Sequence, residues 1–354
     1  MDPPEGCPGC GAPAPAALVV DVAPGVCAAI CTRDRTERLR RALLSLAGQS
    51  GAPEEILVVD NAPGSRATRE LVLGEFPAVR YVTEPVPGLD FARNRALRET
   101  SREVVAFMDD DVVADPGWAD AIRGVFRESG RIAVCTGKVD ALSLETEGQR
   151  LFEANGGFGR GEERIHLPRD RERPLRGLRA PLIAWSISVG SGCSFAVRRQ
   201  AVLDLGGFDE ALDLGQPLPG GGDQDMLWRA LDAGYEVVYE PAVKARHEHR
   251  EGLEESARQI IDHNRSLIAM LVKSAASTRG GNRAAVLAFL AWRLAKPGVR
   301  LLRRFAGRDP LPARVLVGIW GGCWRGLGSY AAARRLAEQR RNAAASRGAE
   351  AANG

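Results

Sequence analysis

The sequence predicts an α/β fold in which a mostly parallel sheet is flanked by helices and followed by a basic helical tail. Two observations predict it: short apolar runs alternate with amphipathic segments between residues 26 and 108, and charge is unevenly divided along the chain. Strands that alternate with helices form parallel sheets covered on both faces. The 354 residues, 45% hydrophobic and 26% charged, suffice for one large α/β domain with an appendage, or for two compact units.

The predicted elements alternate in type along the first half of the chain. Residues 26–31 are an apolar strand candidate, and Leu39, Leu43 and Ala47 then recur at helical spacing within residues 36–47. Ligands of parallel sheets bind beyond the carboxyl ends of the strands, so functional residues are expected in the loops that follow them. The sequence also predicts strands at residues 55–59, 79–82 and 104–108 and helices at residues 66–75 and 91–99.

Polar residues follow three of these predicted strands. The first strand ends in Thr32-Arg33-Asp34, the second in Asp60-Asn61 and the fourth in Asp109-Asp110-Asp111. A turn often carries Asp or Asn, but three consecutive carboxylates repel one another unless a cation lies between them. Mg²⁺ and Mn²⁺ typically bind one or two carboxylates together with substrate phosphates. The carboxylate run therefore predicts a divalent metal site, with a solvated turn as the alternative.

The middle of the chain is rich in glycine. Residues 190–197 predict a strand of small residues, and the run Gly206-Gly207-Phe208-Asp209-Glu210 predicts a turn. Gly220-Gly221-Gly222 then precedes Asp223 and Asp225 at the start of a predicted helix. A single carboxylate is enough to cap a helix. The pair therefore suggests a role beyond capping.

Five motifs occur in a fixed order along the first 225 residues. They are Val58-Val59-Asp60-Asn61, Gly88 with Arg93-Asn94, Phe107-Met108-Asp109-Asp110-Asp111, Gly206-Gly207-Phe208-Asp209-Glu210 and Asp223-Gln224-Asp225. This set resembles the motifs of glycosyltransferase family 2, whose members have the GT-A fold and invert the anomeric centre. The resemblance covers roughly residues 24–250 and implies a nucleotide-sugar-binding half (24–115) and an acceptor half (116–250).

The resemblance implies a donor site in the first half. Asp109 and Asp111 correspond to the family's Asp-x-Asp pair: Asp111 would ligate Mn²⁺ or Mg²⁺, and Asp109 would hold the ribose or a metal-bound water. Asp110 is grouped with the nucleotide-sugar residues, with a position inside the fold as the alternative. Arg93 is expected near the nucleotide, with a solvated helix face as the alternative. The other residues expected at the nucleotide are Thr32, Arg33 and Asp60.

In the second half, the resemblance implies a catalytic base and an acceptor loop. Asp223 is the expected base, because it corresponds to the Asp of the family's Glu-Asp pair. Asp225 is the alternative, because this chain has Gly222 where the family has the Glu. A carboxylate of modest basicity suffices when its geometry is right. His247 is expected to complete the metal site, with His249 as the alternative. The residues expected at the acceptor are Gly207, Phe208 and Asp209.

The C-terminal part of the chain differs in charge from the rest. Residues 275–354 carry fifteen basic and three acidic residues, a net +12, whereas the preceding 274 residues carry about −9. Apolar stretches with Trp and Arg, too short and too charged to span a bilayer, are typical of helices that lie in the membrane interface. Residues 251–335 are therefore predicted to be helical and membrane-associating, with packing against the body as the alternative. Residues 336–354 are predicted to be disordered.

Two further segments have predicted roles. The Arg-rich residues 156–181 predict a loop near the active site that could act as a lid, with a solvated insertion as the alternative. The N-terminal residues 1–23 predict a flexible segment, in which Cys7 and Cys10 match half of a zinc site.

These observations together predict an inverting, metal-dependent glycosyltransferase that uses a nucleotide-diphosphate sugar and a glycan or lipid-linked acceptor. Its predicted location is cytoplasmic, peripheral at the inner face of the cell membrane. The first dozen residues lack the basic start and apolar block of a signal peptide. The alternatives are a phosphotransferase or phosphohydrolase with an aspartate nucleophile, and a polyanion-binding protein acting through the tail. No nucleic-acid partner is expected, because no nucleic-acid-reading motif is recognisable.

Overall fold

The computed structural model describes residues 23–175, 177 and 179–353, with side chains as far as Arg347. The predicted flexible segment and the Cys7/Cys10 pair lie outside the described residues, apart from residue 23. The strands within the described part are β1 (Val26–Thr32), β2 (Glu55–Asn61), β3 (Arg80–Glu84), β4 (Val104–Asp109), β5 (Val112–Ala114), β6 (Ile132–Ala141), β7 (Ile165–Leu167), β8 (Ser194–Arg198) and β9 (Glu236–His247).

These strands form one sheet in the order β3-β2-β1-β4-β8-β6-β9-β5, and β7 pairs with β9. Six of them run in one direction, whereas β5, β7 and β8 run in the other. The predicted mostly parallel sheet is therefore confirmed.

Helices cover both faces of the sheet. Val26, Ala28 and Ile30 of β1 pack on one side, in a core that includes residues of the first and fourth helices. Cys27 and Ala29 pack on the other side, so residues 26–30 of the strand are apolar and buried on both faces. The helices are α1 (Thr36–Ala47), α2 (Ala67–Glu75), α3 (Leu89–Glu99), α4 (Trp118–Glu128), α5 (Glu147–Ala154), α6 (Leu182–Ser188), α7 (Arg199–Asp204), α8 (Gly222–Asp232), α9 (Leu253–Ser277), α10 (Gly280–Phe305) and α11 (Ala313–Asn353).

The C-terminal tail is helical where disorder is predicted. Helix α11 continues without a break through residues 336–353. Ala333 and Ala337 are buried against Leu212 and its neighbours, and Arg340 donates to the backbone carbonyls of Pro87 and Leu214. The disorder prediction is wrong because small alanine side chains let the helix approach the catalytic body closely.

The Arg-rich segment 156–181 also contains more structure than a simple loop. It includes β7, which pairs with β9, and a 3₁₀ turn at Arg169–Glu172. Leu175 and Ala180 pack against the hydrophobic core. The segment therefore borders the sheet as a partly ordered element.

Candidate active site

The strand register brings the polar strand ends together. Because β1 lies between β2 and β4, Thr32 pairs with Asp60 and Cys31 pairs with Asp109. These residues lie at the carboxyl edge of the parallel strands, where α/β sheets bind ligands. A cleft of about 1980 Å³ opens there, lined by Thr32, Arg33, Arg93, Asp109, Asp110, Asp111, Asp223 and His247 among others. The polar residues that follow the predicted strands therefore meet at one edge of the sheet, in the loops where the sequence predicts functional residues.

The three consecutive carboxylates have different surroundings. Thr32 Oγ1 donates to Asp110 at 2.7 Å, and Arg35 donates to the other oxygen of Asp110 at 3.1 Å. Asp110 is thereby fixed beside β1, and Arg35 also lies 3.5 Å from Asp111. Asp110 thus anchors the loop, which agrees with the alternative of a position inside the fold.

Asp109 and Asp111 have opposite pKa shifts. Burial, followed by the charge of Asp111, raises the pKa of Asp109 to about 8. Burial also acts to raise the pKa of Asp111, but the hydrogen bond and charge of His247 and the charge of Arg35 outweigh it and leave that pKa below its ordinary value. Crowded carboxylates of this kind favour a bound cation.

His247 reaches Asp111 because β9 ends beside the loop. Val112 of β5 pairs with His247, and His247 Nε2 lies 3.3 Å from Asp111 Oδ1. His249 lies behind His247, with 2.8 Å between their Nδ1 atoms. Of the two histidines, His247 is therefore the one that faces the carboxylates.

The protein groups alone do not make a complete metal site. Among the described residues, no group of three or more His, Cys, Asp or Glu side chains is arranged to hold a metal ion. Asp111 and His247 nevertheless fit a divalent cation that takes its remaining oxygen ligands from a diphosphate and water, as Mg²⁺ sites commonly do.

Arg93 is buried rather than solvated. It is 3% exposed, its Nη1 lies 2.9 Å from Asp90 and 3.4 Å from Asp213, and its guanidinium stacks 5.4 Å from the centroid of Phe195. The solvated-face alternative is wrong. Charge pairing holds Arg93 in the wall of the cleft.

Asp60 also has a buried carboxylate. Tyr81 Oη donates to Asp60 Oδ2 at 2.8 Å, while Oδ1 has no hydrogen-bond partner among the described residues. Burial raises the pKa of Asp60. Because an unsatisfied buried acceptor is costly, a ligand hydroxyl or N–H at this oxygen would stabilise it.

The candidate bases Asp223 and Asp225 lie on different sides of α8. Asp223 lines the cleft, and its Oδ2 accepts from the Gly192 N–H at 2.7 Å. Asp225 is 1% exposed and forms ion pairs with Lys273 at 2.6 Å and Arg229 at 2.7 Å. Asp225 is therefore a buried, ion-paired carboxylate that does not line the cleft. This position argues against its alternative role as the base.

Gly222 has no room for the family's Glu. A Cβ built at Gly222 would lie 2.0 Å from Asp90 Oδ2 and 2.5 Å from Asp213 Oδ2. Asp213 accepts from the Gly222 N–H at 2.7 Å and has a φ of +50°. Two carboxylates from elsewhere in the chain thus occupy this space. No sequence signal identified Asp213 or Asp90.

The predicted acceptor residues lie away from the cleft. Phe208 is 3% exposed and packs edge-on against Phe107 at 5.5 Å, and Asp209 pairs with Lys273 at 2.8 Å. Together with Gly207 they border a separate polar pocket of about 370 Å³. Asn94 ties the turn to α3 through the backbone of Phe208. Acceptor binding by Gly207, Phe208 and Asp209 stays a prediction, and it would place the acceptor at this separate pocket.

Sequence comparison identifies the family. The sequence model described as "Glycosyl transferase family 2" matches residues 27–206, slightly more than half of the chain. The chain belongs to glycosyltransferase family 2. Membership argues against the aspartate-nucleophile alternative, and so does the position of the Asp109-Asp110-Asp111 run after β4 rather than after the first strand.

Individual relatives of this family 2 chain are distant. A pre-mycofactocin glycosyltransferase of Mycobacterium tuberculosis is 27% identical over 222 residues, which cover 62% of this chain and 42% of that protein. The succinoglycan biosynthesis protein ExoM of Rhizobium meliloti is 28% identical over 224 residues, covering 60% of this chain and 63% of ExoM. The chain thus spans less than half of the first relative's length.

A solved structure supports the fold. The mannosyltransferase PcManGT from Pyrobaculum calidifontis, solved with GDP-Man and Mn²⁺, superposes with a TM-score of 0.50 at 16% identity. The match covers 89% of this chain and 87% of PcManGT. The predicted GT-A fold is confirmed.

Proposed function

We propose that this family 2 enzyme is an inverting hexosyltransferase that moves a sugar from a nucleotide-diphosphate donor to a hydroxyl of a glycan or lipid-linked acceptor, with a divalent metal assisting. The observation that carries the proposal is that Asp111 with His247 and the separate carboxylate of Asp223 face one cleft. A single displacement requires one group to stabilise the departing diphosphate and another to accept the proton of the acceptor hydroxyl. A metal-binding pair and a base in one cavity supply both.

The donor end of the cleft is formed by side chains that suit a nucleotide. Thr32, Arg33 and Arg93 line the cleft, and the buried carboxylate of Asp60, which pairs with Thr32 in the sheet, would accept from the base or ribose. The cation, Mn²⁺ or Mg²⁺, would be held by Asp111 and His247, with Asp109 beside them on the ribose or a metal-bound water. When bound, it would neutralise charge developing on the departing diphosphate.

Asp223 is the proposed base. One of its oxygens is held by the Gly192 N–H, which leaves the other oxygen to receive the proton of the acceptor hydroxyl. The hydroxyl needs to lose its proton only as the new bond forms, so a positioned carboxylate is sufficient. Attack from the face opposite the diphosphate inverts the anomeric centre, and no covalent nucleophile is needed.

Slow hydrolysis of donor sugars tests this function directly. We expect one of the UDP, GDP, dTDP or CDP hexoses to be hydrolysed by the purified enzyme with Mn²⁺ present and much more slowly in EDTA. GDP-mannose is the first to try, because PcManGT was solved with it. NMR of the first-formed sugar should show inverted anomeric configuration. Retention, or equal hydrolysis in EDTA, contradicts the proposal.

We further propose that α10 and α11 bind an anionic membrane surface at the cytoplasmic face. Nine of the twelve exposed large hydrophobic side chains of the described residues are on these two helices. The described part of the chain contains no helix long and apolar enough to cross a bilayer. The nine side chains are Leu287, Trp292, Val299, Leu302, Phe305, Val317, Trp320, Trp324 and Leu327.

The exposed side chains form a continuous surface. At 100° per residue, those of α10 fall within roughly 140° of its circumference. Only Val286 and Pro297 of this helix are buried. Trp320 of α11 lies against Gly298 of α10, which joins the two apolar stripes. Of the six basic residues of α10, Arg293, Lys296, Arg300 and Arg303 line the cleft. The apolar stripe therefore carries the proposed membrane contact, and the net +12 of residues 275–354 supplies the attraction to anionic lipid.

Vesicle binding tests the membrane proposal with matched variants. The double variant Leu302→Ser/Phe305→Ser removes two side chains that are 72% and 78% exposed, so it should reduce binding to phosphatidylglycerol-containing vesicles by roughly 10-fold or more. The control is Leu44→Ser/Leu73→Ser, at two exposed positions on α1 and α2. Equal losses in both variants, or no vesicle binding by the wild type, would refute the proposal.

A further inference from the structure

A chain of three side chains extends from Asp111 into the protein. His247 Nδ1 lies 2.8 Å from His249 Nδ1, and His249 Nε2 lies 2.7 Å from Glu153 Oε1 on α5. His249 is 2% exposed. Phe152 and Phe158 pack against the two imidazoles with ring centroids 4.8 to 4.9 Å apart. The imidazole rings are therefore fixed in orientation as well as in position.

The hydrogen-bond roles along this chain are set by Glu153. An ionised carboxylate can only accept, so His249 donates from Nε2. In the neutral imidazole of His249, Nδ1 is then an acceptor, and His247 donates to it from its own Nδ1. The Nε2 atom of His247 faces Asp111 Oδ1 at 3.3 Å. A proton between these two atoms makes the hydrogen bond to Asp111, and a divalent cation bound there would take the place of that proton and use the lone pair of Nε2.

Gly157 makes space for this arrangement. A Cβ at Gly157 would lie 2.3 Å from Glu153 Oε1, and the φ of Gly157 is +44°. Any other residue at this position would collide with the carboxylate. The glycine pair that follows α5 therefore permits the contact between Glu153 and His249.

We propose that Glu153 and His249 are positioning residues that hold His247 in the tautomer able to ligate a divalent cation. This inference rests on the proposed metal-assisted function. Side chains behind a metal-ligating histidine orient the ring and fix its tautomer, and their loss typically weakens metal binding 10- to 100-fold. Glu153 and His249 act on the affinity for the cation through His247, and they touch neither the donor nor the acceptor.

The experiment measures Mn²⁺ affinity from the electron paramagnetic resonance signal of free Mn²⁺, at pH 8 where ordinary imidazoles are neutral. The titration is run with Mn²⁺ alone, with GDP and with UDP. Glu153→Met keeps the side-chain volume but removes the acceptor, so Mn²⁺ affinity should fall about 10- to 100-fold. Glu153→Gln should restore most of the affinity, because its amide oxygen still accepts from His249. His249→Leu breaks the chain in the middle and should match Glu153→Met.

The controls separate positioning from folding. Glu147→Met changes an exposed residue on the same helix and should leave Mn²⁺ affinity unchanged, and nucleotide affinity in EDTA should be equal in all variants. Wild-type Mn²⁺ affinity in both Glu153→Met and His249→Leu, together with a loss in Asp111→Asn, overturns the positioning proposal alone. Unchanged affinity in Asp111→Asn overturns the metal-assisted function as well.

Discussion

Asp223→Asn is expected to lower the transfer rate on the order of 10²- to 10⁴-fold, the usual contribution of a general base, while donor affinity stays close to the wild-type value. Asparagine has the same shape, and its side-chain oxygen can still accept from the Gly192 N–H, which Asp223 binds at 2.7 Å. The substitution therefore removes the basic oxygen without opening the loop. The measurement is transfer or donor hydrolysis beside calorimetric donor affinity.

Asp225→Asn is the matched control for this prediction. It changes the same residue type two positions along α8, but Asp225 is paired with Lys273 and Arg229 outside the cleft. Weakening these buried pairs should lower thermal stability and leave the chemical step nearly intact. A normal rate in Asp223→Asn with a collapsed rate in Asp225→Asn would contradict the assignment and transfer the role to Asp225.

Asp111→Asn is expected to abolish metal-dependent donor binding. The substitution removes the carboxylate charge that faces His247 Nε2 at 3.3 Å, and hard divalent cations bind preferentially to charged oxygen ligands. Asp109→Asn should also be severe, because Asp109 is the second crowded carboxylate of the site. Donor affinity is measured with Mn²⁺ and with EDTA.

Asp110→Asn provides the internal comparison. Its side-chain oxygen can still accept from Thr32, which holds Asp110 at 2.7 Å, so the loop should keep its shape and the loss should be milder. Full activity of the wild type in EDTA would be incompatible with the metal assignment, and so would an Asp111→Asn enzyme that retains Mn²⁺-dependent binding.

Local patterns predicted the catalytic body well. The apolar spacing of residues 36–47 predicted α1 at its observed bounds, because one helix face packs on the sheet. The polar strand ends met at one edge because parallel neighbours share their direction. The family resemblance favours His247 over His249, and β-pairing with Val112 accounts for the position of His247 near Asp111.

The parts of the site and fold that could not be predicted from the sequence depend on contacts between residues far apart in the chain. Asp213 enters the site from a loop and fills space that Gly222 leaves open, and Glu153 reaches His249 across 96 positions of sequence. Neither residue belongs to a recognisable motif. The turn at residues 206–210 matched the family pattern, but its direction depends on Asn94. The helical end of α11 depends on packing against the body, which composition does not reveal.

Two residues of one cleft are assigned different roles: Asp111 binds the donor through the metal, and Asp223 removes the proton of the acceptor. Calorimetric titration of the hydrolysable donor into the wild type, Asp111→Asn and Asp223→Asn, each with Mn²⁺, distinguishes these roles. We expect wild-type donor affinity in Asp223→Asn and loss of measurable binding in Asp111→Asn. Retained affinity in Asp111→Asn, or its loss in Asp223→Asn, would contradict the separation of the two roles.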